Sequence, residues 1–233
     1  MENAALIPVE IVSTILCFVL LRYMIRPYRL TREARYIGLP LGFGFLGVSY
    51  ALMGFALYFE SFLFVEEIKW LQLFNQAYAF AFLAVTYYFS KSSKSKNIRW
   101  NITYAGLVFG VAISYLVIFE PPMLGLPSYK TVDEYFRLFN ILFLVYIFVH
   151  TMRSHLSKPD PKTFWIPLGY LLLGFSQYSF LIWSLDTVVV ANVGAHILRI
   201  TGLTVFVLVV YQTFFGSKQA FPKEGIWDEE ASA

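Results

Sequence analysis

Long runs of apolar residues recur seven times along this 233-residue chain. Each run is about 20 residues long, and a helix of that length, rising about 1.5 Å per residue, crosses the ~30 Å hydrocarbon layer of a bilayer. Turn residues do not interrupt the runs every ten or so positions, which excludes the short strands of a membrane barrel. The runs predict seven membrane-spanning helices at residues 5–25, 36–58, 68–90, 101–119, 135–152, 164–185 and 189–213.

The composition points to the same class of protein. Hydrophobic residues make up 58% of the chain and charged residues 14%, a balance unlike that of a soluble globular domain. The first run carries Glu2 and Glu10 and has no basic residues before it, so we expect a retained helix and not a secretory signal. The sequence therefore predicts an all-α, multi-pass protein of the cell membrane, with one domain at 1–215 and a short cytoplasmic tail at 216–233.

Charged residues alternate between the two sides of the predicted bundle. Of the 18 Lys and Arg residues, 14 lie in the first, third and fifth loops and in the tail, whereas acidic residues predominate in the other loops. Because basic residues collect in cytoplasmic loops, the N-terminus is predicted outside and the C-terminus inside. The net charge of +3 is the sum of a basic inner face and an acidic outer face, so it gives no indication of a nucleic-acid partner.

The second and sixth runs begin with similar sequences. "GLPLGFGFLGVS" at 38–49 and "WIPLGYLLLGFS" at 165–176 align without a gap, at a constant offset of 127 in the numbering. This similarity predicts two related three-helix units, 5–90 and 135–215, joined by a linker helix at 101–119. Because the offset from one copy to the other is four helices, an even number, both copies cross the membrane in the same direction, and their pseudo-twofold axis runs along the membrane normal.

Polar residues form a stripe on each of the third and seventh predicted helices. The intervals of three and four residues place each set on one helix face. The two sets are Gln72, Asn75 and Gln76, and Asn192, His196 and Arg199. At an offset of 120 in the numbering Gln72 matches Asn192 and Gln76 matches His196, so we expect the stripes to face each other across the axis.

Glu10, Asn140 and Gln177 lie at similar depths, counted from the outer boundary, and Arg199 lies about 15 Å deep. An ionisable side chain inside the membrane costs at least ~2.5 kcal/mol, so we expect these residues to turn inward, with Glu10 as the partner of Arg199. A polar cluster confined to the outer half predicts a ligand-binding cavity open to the outside. For the amide side chains, interhelical hydrogen bonding alone is the alternative. The aromatic residues expected to wall the cavity are Phe74, Tyr78, Tyr178 and Trp183.

The residue types required for several kinds of chemistry are missing from the sequence. His150, His155 and His196 lie at different depths, which does not suit bis-histidine haem ligation, and the seventh helix has no lysine for retinal. No metalloprotease, hydrolase or phosphate-loop motif occurs. The sequence therefore predicts no catalytic residues, no metal site and no cofactor, and we do not expect an enzyme.

The chain resembles two groups of membrane proteins. It is similar to the SWEET-type sugar uniporters in its length, its three-plus-one-plus-three order, and Asn75 and Asn192 on the third and seventh helices. It lacks their Pro-Gln signature, and only Pro40 and Pro167 stand where family prolines would be placed. The stretches "RPYRLTREARYIGLPLGFGFLGVSYAL" and "AHILRITG" resemble the seven-helix sensor regions that precede histidine kinases in microbes, although no output domain follows them in this sequence.

These resemblances and the polar cluster lead to three hypotheses. The first is a receptor-like sensory protein that binds a small polar or anionic molecule and signals through its basic inner loops to a cytoplasmic or membrane protein partner. The second is a facilitator or transporter of a small polar solute, with Pro40 and Pro167 as hinges. The third is a non-catalytic subunit of a larger membrane complex. All three require the lipid bilayer as a partner.

Overall fold

A computed structural model of the chain describes residues 2–31, 37–59, 64–89, 97–119, 129–157, 159 and 164–215. Within these ranges the chain forms seven α-helices and no strand. The helices are α1 (Glu2–Thr31), α2 (Gly38–Tyr58), α3 (Val65–Phe89), α4 (Asn97–Phe119), α5 (Tyr129–Ser157), α6 (Trp165–Asp186) and α7 (Val189–Phe215). The predicted tail at 216–233 and parts of the basic loops, at 32–36, 90–96, 158 and 160–163, lie outside the described ranges.

Six of these helices are long and apolar enough to cross a membrane, and α3 is the exception. Its first turn carries Glu66 and Glu67, and its polar stripe of Gln72, Asn75 and Gln76 lowers its hydropathy further. All three residues of the stripe are buried within the bundle. The low hydropathy of α3 therefore reflects polar residues that face other helices.

The main difference from the sequence prediction is at the start of α5. This helix begins at Tyr129, ahead of the predicted start at 135. Asp133 and Arg137 are therefore one turn apart on a helix, where they form a buried ion pair. The charge pattern of the sequence assigns both to the outer side, and the extra helical turns are what bring them into the bundle.

Six of the helices form a closed ring, in the order α1, α2, α3, α5, α6, α7, with α7 packed against α1. Helix α4 lies outside this ring and packs against α3. The two three-helix groups, α1–α3 and α5–α7, thus meet at two junctions, one between α1 and α7 and the other between α3 and α5. The ring order places α3 and α7 on opposite sides.

Half of the ring's interior is a solid hydrophobic core. It lies toward the end at which α2 and α6 begin, and its residues come from all six ring helices. Phe43 of α2 and Phe206 of α7 meet there with their ring centroids 5.6 Å apart, and Tyr170 of α6 lies 4.6 Å from Phe206. All three side chains are almost fully buried. Close packing of this kind leaves no room for a solute.

Two hydrogen bonds between helices occupy matching positions in the two groups. Ser49 Oγ donates to the backbone oxygen of Gln72 at 3.0 Å, and Ser176 Oγ donates to that of Ala195 at 2.8 Å. The two serines are related by the repeat offset of 127, and their two acceptors by an offset of 123. By these contacts, residues of α3 and α7 correspond at an offset of 123. The match between the polar residues of the two helices predicted an offset of 120, which differs by about one helical turn.

Two glycine contacts repeat in the same way. A Cβ atom at Gly47 would lie 3.1 Å from the Cβ of Cys17, and one at Gly174 would lie 3.9 Å from the Cβ of Leu144. Both residues of the first pair match their counterparts in the second pair at the repeat offset of 127. The glycines therefore bring α1 close to α2 and α5 close to α6 at corresponding positions.

Three pairs of polar side chains attach α4 to α3, with donor–acceptor distances of 2.7–3.0 Å. They are Asn75 with Tyr115, Tyr78 with Ser114, and Thr86 with Tyr104. Hydrogen bonds between membrane helices contribute roughly 0.6 kcal/mol each. The rest of α4 is largely apolar and exposed, as at Phe109 and Leu116, so this ladder of bonds fixes the face of α4 that turns inward.

The pair of this ladder that lies nearest the start of α2, Thr86 with Tyr104, gives a test of the packing. A methyl group at Gly38 would overlap the hydroxyl groups of Tyr104 and Thr86. We expect Gly38→Ala to lower the free energy of unfolding by about 1–3 kcal/mol, the usual cost of overpacking. Thermal unfolding of the protein in detergent would measure this effect. The matched control is Gly106→Ala, where an added Cβ has no neighbour within 4 Å and a small stabilisation is expected. Equal stability of the two variants would contradict the packing described here.

Candidate ligand-binding site

A cavity of about 360 Å³ lies inside the ring, at the end where α3 and α7 begin. All six ring helices contribute to its lining, and α4 does not. The hydrophobic core closes the ring below it. Small-molecule sites in proteins typically measure ~300–1,000 Å³, so this cavity suits a compact ligand.

Six of the nine side chains predicted to bind ligand line this cavity. They are Glu10, Gln72, Gln76, Asn192, His196 and Arg199. The two polar stripes of α3 and α7 therefore do meet in a common chamber, with Glu10 of α1 beside them. Whether these residues bind a ligand remains a prediction.

The other three predicted residues lie elsewhere in the bundle. Asn75 donates to the Tyr115 hydroxyl at 2.7 Å and to its own helix, so it faces α4. Asn140 donates to Gln177 Oε1 at 3.5 Å, and both side chains are buried between α5 and α6. These contacts are those of interhelical hydrogen bonding, the alternative that the sequence left open for the amides.

Arg199 forms a buried ion pair with Glu10, as predicted. Its Nη2 donates to Glu10 Oε1 at 2.7 Å, and the two residues are 3% and 1% exposed. The same Nη2 lies 3.1 Å from His196 Nδ1. A guanidinium group can only donate, so Nδ1 is the acceptor and His196 is neutral, with its proton on Nε2. The ion pair joins α7 to α1 and closes the ring at that junction.

Aromatic rings surround the guanidinium group of Arg199. The ring centroid of Tyr50 lies 4.4 Å from its Cζ and that of Phe180 lies 5.8 Å away. Phe180 also meets the imidazole of His196 edge-on, with centroids 4.9 Å apart. Rings at these distances stabilise a cation that has left water, which offsets part of the cost of burying Arg199.

Several buried polar atoms around this pair have no hydrogen-bond partner among the described residues. They are Glu10 Oε2, Arg199 Nε and Gln76 Oε1. Leaving such an atom unpaired costs about 1–3 kcal/mol, and most buried polar atoms in proteins are paired. Their grouping beside a cavity is typical of a site where water or a ligand supplies the missing bonds.

Arg137 of α5 also lines the cavity, and sequence reasoning missed it. Its Nε donates to Asp133 Oδ2 at 2.7 Å, and its Cζ lies 4.7 Å from the ring centroid of Phe180. Two signals in the sequence pointed to it. Asp133 and Arg137 have the i, i+4 spacing of a helical ion pair, and Arg137 matches Glu10 at the repeat offset of 127.

The aromatic residues predicted to wall the cavity have different positions. Trp183 lines it. Tyr178 is 53% exposed, Tyr78 contacts Ser114 of α4, and Phe74 packs against Phe136 with ring centroids 5.0 Å apart. Helical periodicity alone did not distinguish these orientations.

Both predicted hinges, Pro40 and Pro167, are the third residue of their helix. Backbone N–H groups in the first turn have no partner within the helix, so proline is tolerated there without a kink. Their positions are therefore explained by the helix starts. The hinge role remains a prediction.

The cavity offers two guanidinium groups, one carboxylate, one imidazole and several amides. No group of three or more His, Cys, Asp or Glu side chains suited to a metal ion occurs in the part of the chain that the structure describes. Comparison of the chain with protein-family models, with curated proteins and with solved structures finds no match. The arrangement suits binding of a small molecule through charge and hydrogen bonds.

The buried ion pair can be tested by removing its partners singly and together. We expect Glu10→Leu and Arg199→Leu each to lower the free energy of unfolding by about 3–5 kcal/mol, because each leaves one charge buried and unpaired. The double variant removes both charges and should recover most of the loss. Thermal unfolding in detergent would compare the three. Additive losses in the double variant would contradict direct pairing.

Proposed function

We propose that this chain is a receptor-like protein of the cell membrane, which binds a small polar or anionic molecule in its outer cavity. The observation that carries this proposal is the cluster of unpaired, buried polar atoms beside the cavity, on a ring that a hydrophobic core closes below. Binding would bias the bundle between two packings in proportion to the ligand's difference in affinity for them.

The proposal includes seven membrane crossings, with α3 as the seventh. At 25 residues α3 is long enough to span a bilayer, and its polar side chains are buried against other helices, where polar groups are tolerated. The alternation of basic and acidic loops supports an outer N-terminus. With that orientation the cavity opens to the outside.

The proposal also includes a duplicated three-helix unit. The matched serine hydrogen bonds and the matched glycine contacts support it, because both glycine contacts and the two serines repeat at the offset of 127, and the serines' two acceptors at the offset of 123. The ring order supports it as well, since the α1–α7 and α3–α5 junctions correspond when one group is superposed on the other. The axis relating the groups would pass between α3 and α7.

A facilitator is the second candidate, because repeats about an axis along the membrane normal are found in transporters. Against it stands the core below the cavity, where Phe43, Tyr170 and Phe206 are packed without space for a solute. Alternating access would require this core to separate. The subunit hypothesis expects the polar stripes on the outer surface, and their burial in the ring gives it no support.

Accessibility of the cavity from outside tests the proposed orientation and site together. The native Cys17 is fully buried, so an added cysteine can be followed alone. We expect Asn192→Cys to react with a membrane-impermeant methanethiosulfonate added outside intact cells, because residue 192 lines the cavity. Leu46→Cys, placed in the closed core, is the matched control and should not react. Failure of Asn192→Cys to react from outside would contradict the proposal.

Solute uptake separates the receptor from the facilitator. Because the core blocks the ring, we expect proteoliposomes containing the protein to take up labelled glucose and labelled benzoate no faster than empty liposomes. Radioactivity retained on filters would measure the rate. Protein-dependent uptake of either solute would overturn the receptor-like proposal in favour of the facilitator.

A further inference from the structure

The two junctions between the halves of the ring carry different charges. At the first junction, Glu10 of α1 meets Arg199 of α7. At the offset of 127, Glu10 of α1 corresponds to Arg137 of α5. At the offset of 123, Gln76 of α3 corresponds to Arg199 of α7. The second junction therefore presents a cation and a neutral amide where the first presents a carboxylate and a cation.

Arg137 thus has no carboxylate across its own junction. Within the described residues its one hydrogen bond runs from Nε to Asp133 on the same helix. Its terminal nitrogens make no hydrogen bond there, although the residue is only 9% exposed and lines the cavity. A guanidinium group with two parallel N–H donors available is the side chain best suited to hold a carboxylate in a bidentate pair.

The surroundings of Arg137 limit the ligand further. Arg137 and Arg199 line the cavity together with Glu10, and Asp133, which pairs with Arg137 from the same helix, does not line it. Because Glu10 and Asp133 already balance the two arginines, a ligand with one negative charge suits the cavity better than one with two. Phe180 lies beside Arg137, and together with Trp183 it provides an apolar part of the lining for the remainder of the molecule. The volume of about 360 Å³ restricts that remainder to a compact group.

We propose that the cavity binds a monocarboxylate with a compact apolar body, and that Arg137 holds its carboxylate on the side of Gln76, the residue that takes the place of Arg199 at the second junction. The inference rests on the proposed ligand-binding function and names the class of ligand. An aromatic or short aliphatic acid dissolved in water has this chemistry, and so does the head of a fatty acid supplied by the bilayer.

Binding to the full chain in lipid nanodiscs tests the inference, with the change in tryptophan fluorescence, to which Trp183 of the cavity lining contributes, as the readout. The probes are benzoate, its neutral isostere benzamide, and palmitate added with the lipid. We expect a carboxylate to bind at least roughly tenfold more tightly than benzamide, the effect of one charge-assisted pair. Binding of benzoate would identify a water-soluble acid, and binding of palmitate alone a lipid-derived one. The inference is overturned if benzoate and benzamide give equal responses. It is also overturned if none of the three probes gives a response.

Two variants assign the effect to Arg137. Gln76→Glu supplies the missing carboxylate from the protein, so it should weaken carboxylate binding roughly tenfold and raise the unfolding temperature of the ligand-free protein. The double variant Asp133→Asn, Arg137→Gln removes the cation without leaving Asp133 unpaired, and should also lose binding. Asn75→Asp is the matched control. It adds the same charge to α3 on the side facing α4, keeps an acceptor for Tyr115, and should bind as the wild type does.

The outcomes distinguish this inference from the function on which it rests. If Gln76→Glu lowers the unfolding temperature, or if Asn75→Asp weakens binding as much as Gln76→Glu does, Arg137 is not the anchor. If benzamide binds as well as benzoate, the cavity remains a ligand site but not one for carboxylates. The receptor-like proposal itself fails if the cavity cannot be reached from outside, or if the protein carries a solute across the bilayer.

Discussion

The arrangement of the bundle depends on one buried ion pair, between Arg199 near the middle of α7 and Glu10 of α1. An arginine at that depth is costly to insert unless it is paired, and the carboxylate that pairs with it lies on the helix most distant in sequence. The pair therefore joins the two ends of the chain and closes the ring of six helices. It also determines what surrounds it, because a guanidinium group in the interior requires rings such as those of Tyr50 and Phe180, as well as further hydrogen-bond acceptors.

The division of the ring into a polar and an apolar half follows from the same constraint. Polar side chains that cannot face lipid collect around the ion pair. Where they collect there is a cavity, and where they are missing the ring is filled, as at Phe43 and Phe206. A chamber that is closed at one end can hold a ligand but gives it no route through the bundle. A receptor-like role therefore agrees better with this fold than a facilitator does.

Much of this arrangement could be predicted from the sequence, and the exceptions have physical causes. Hydropathy located the helices, and the cost of an unpaired charge identified Glu10 as the partner of Arg199. The orientation of Asn75 was not predictable, because successive helical residues differ by about 100° and Asn75 faces α4, whose position outside the ring leaves no periodic signal. The register between α3 and α7 was off by one turn, because residues three or four apart share a face and a polar pattern does not separate them. Arg137 was missed because Asp133, with which it pairs, lies before the start of the helix that hydropathy predicts at 135, whereas α5 begins at Tyr129.

Helix α4 contributes no residue to the cavity lining and lies outside the ring. The cavity nevertheless depends on α4, because the number of preceding helices sets the direction in which α5–α7 run. A chain that crosses a bilayer reverses direction at each span. Two three-helix units joined directly would insert in opposite orientations, and the residues of α5 that accompany Glu10 at one depth would open to the other side of the membrane. In the proposed seven-span topology α4 is the extra span that gives both groups of helices a common direction, so a helix held by a few hydrogen bonds at the edge of the bundle would allow both halves to contribute to one chamber.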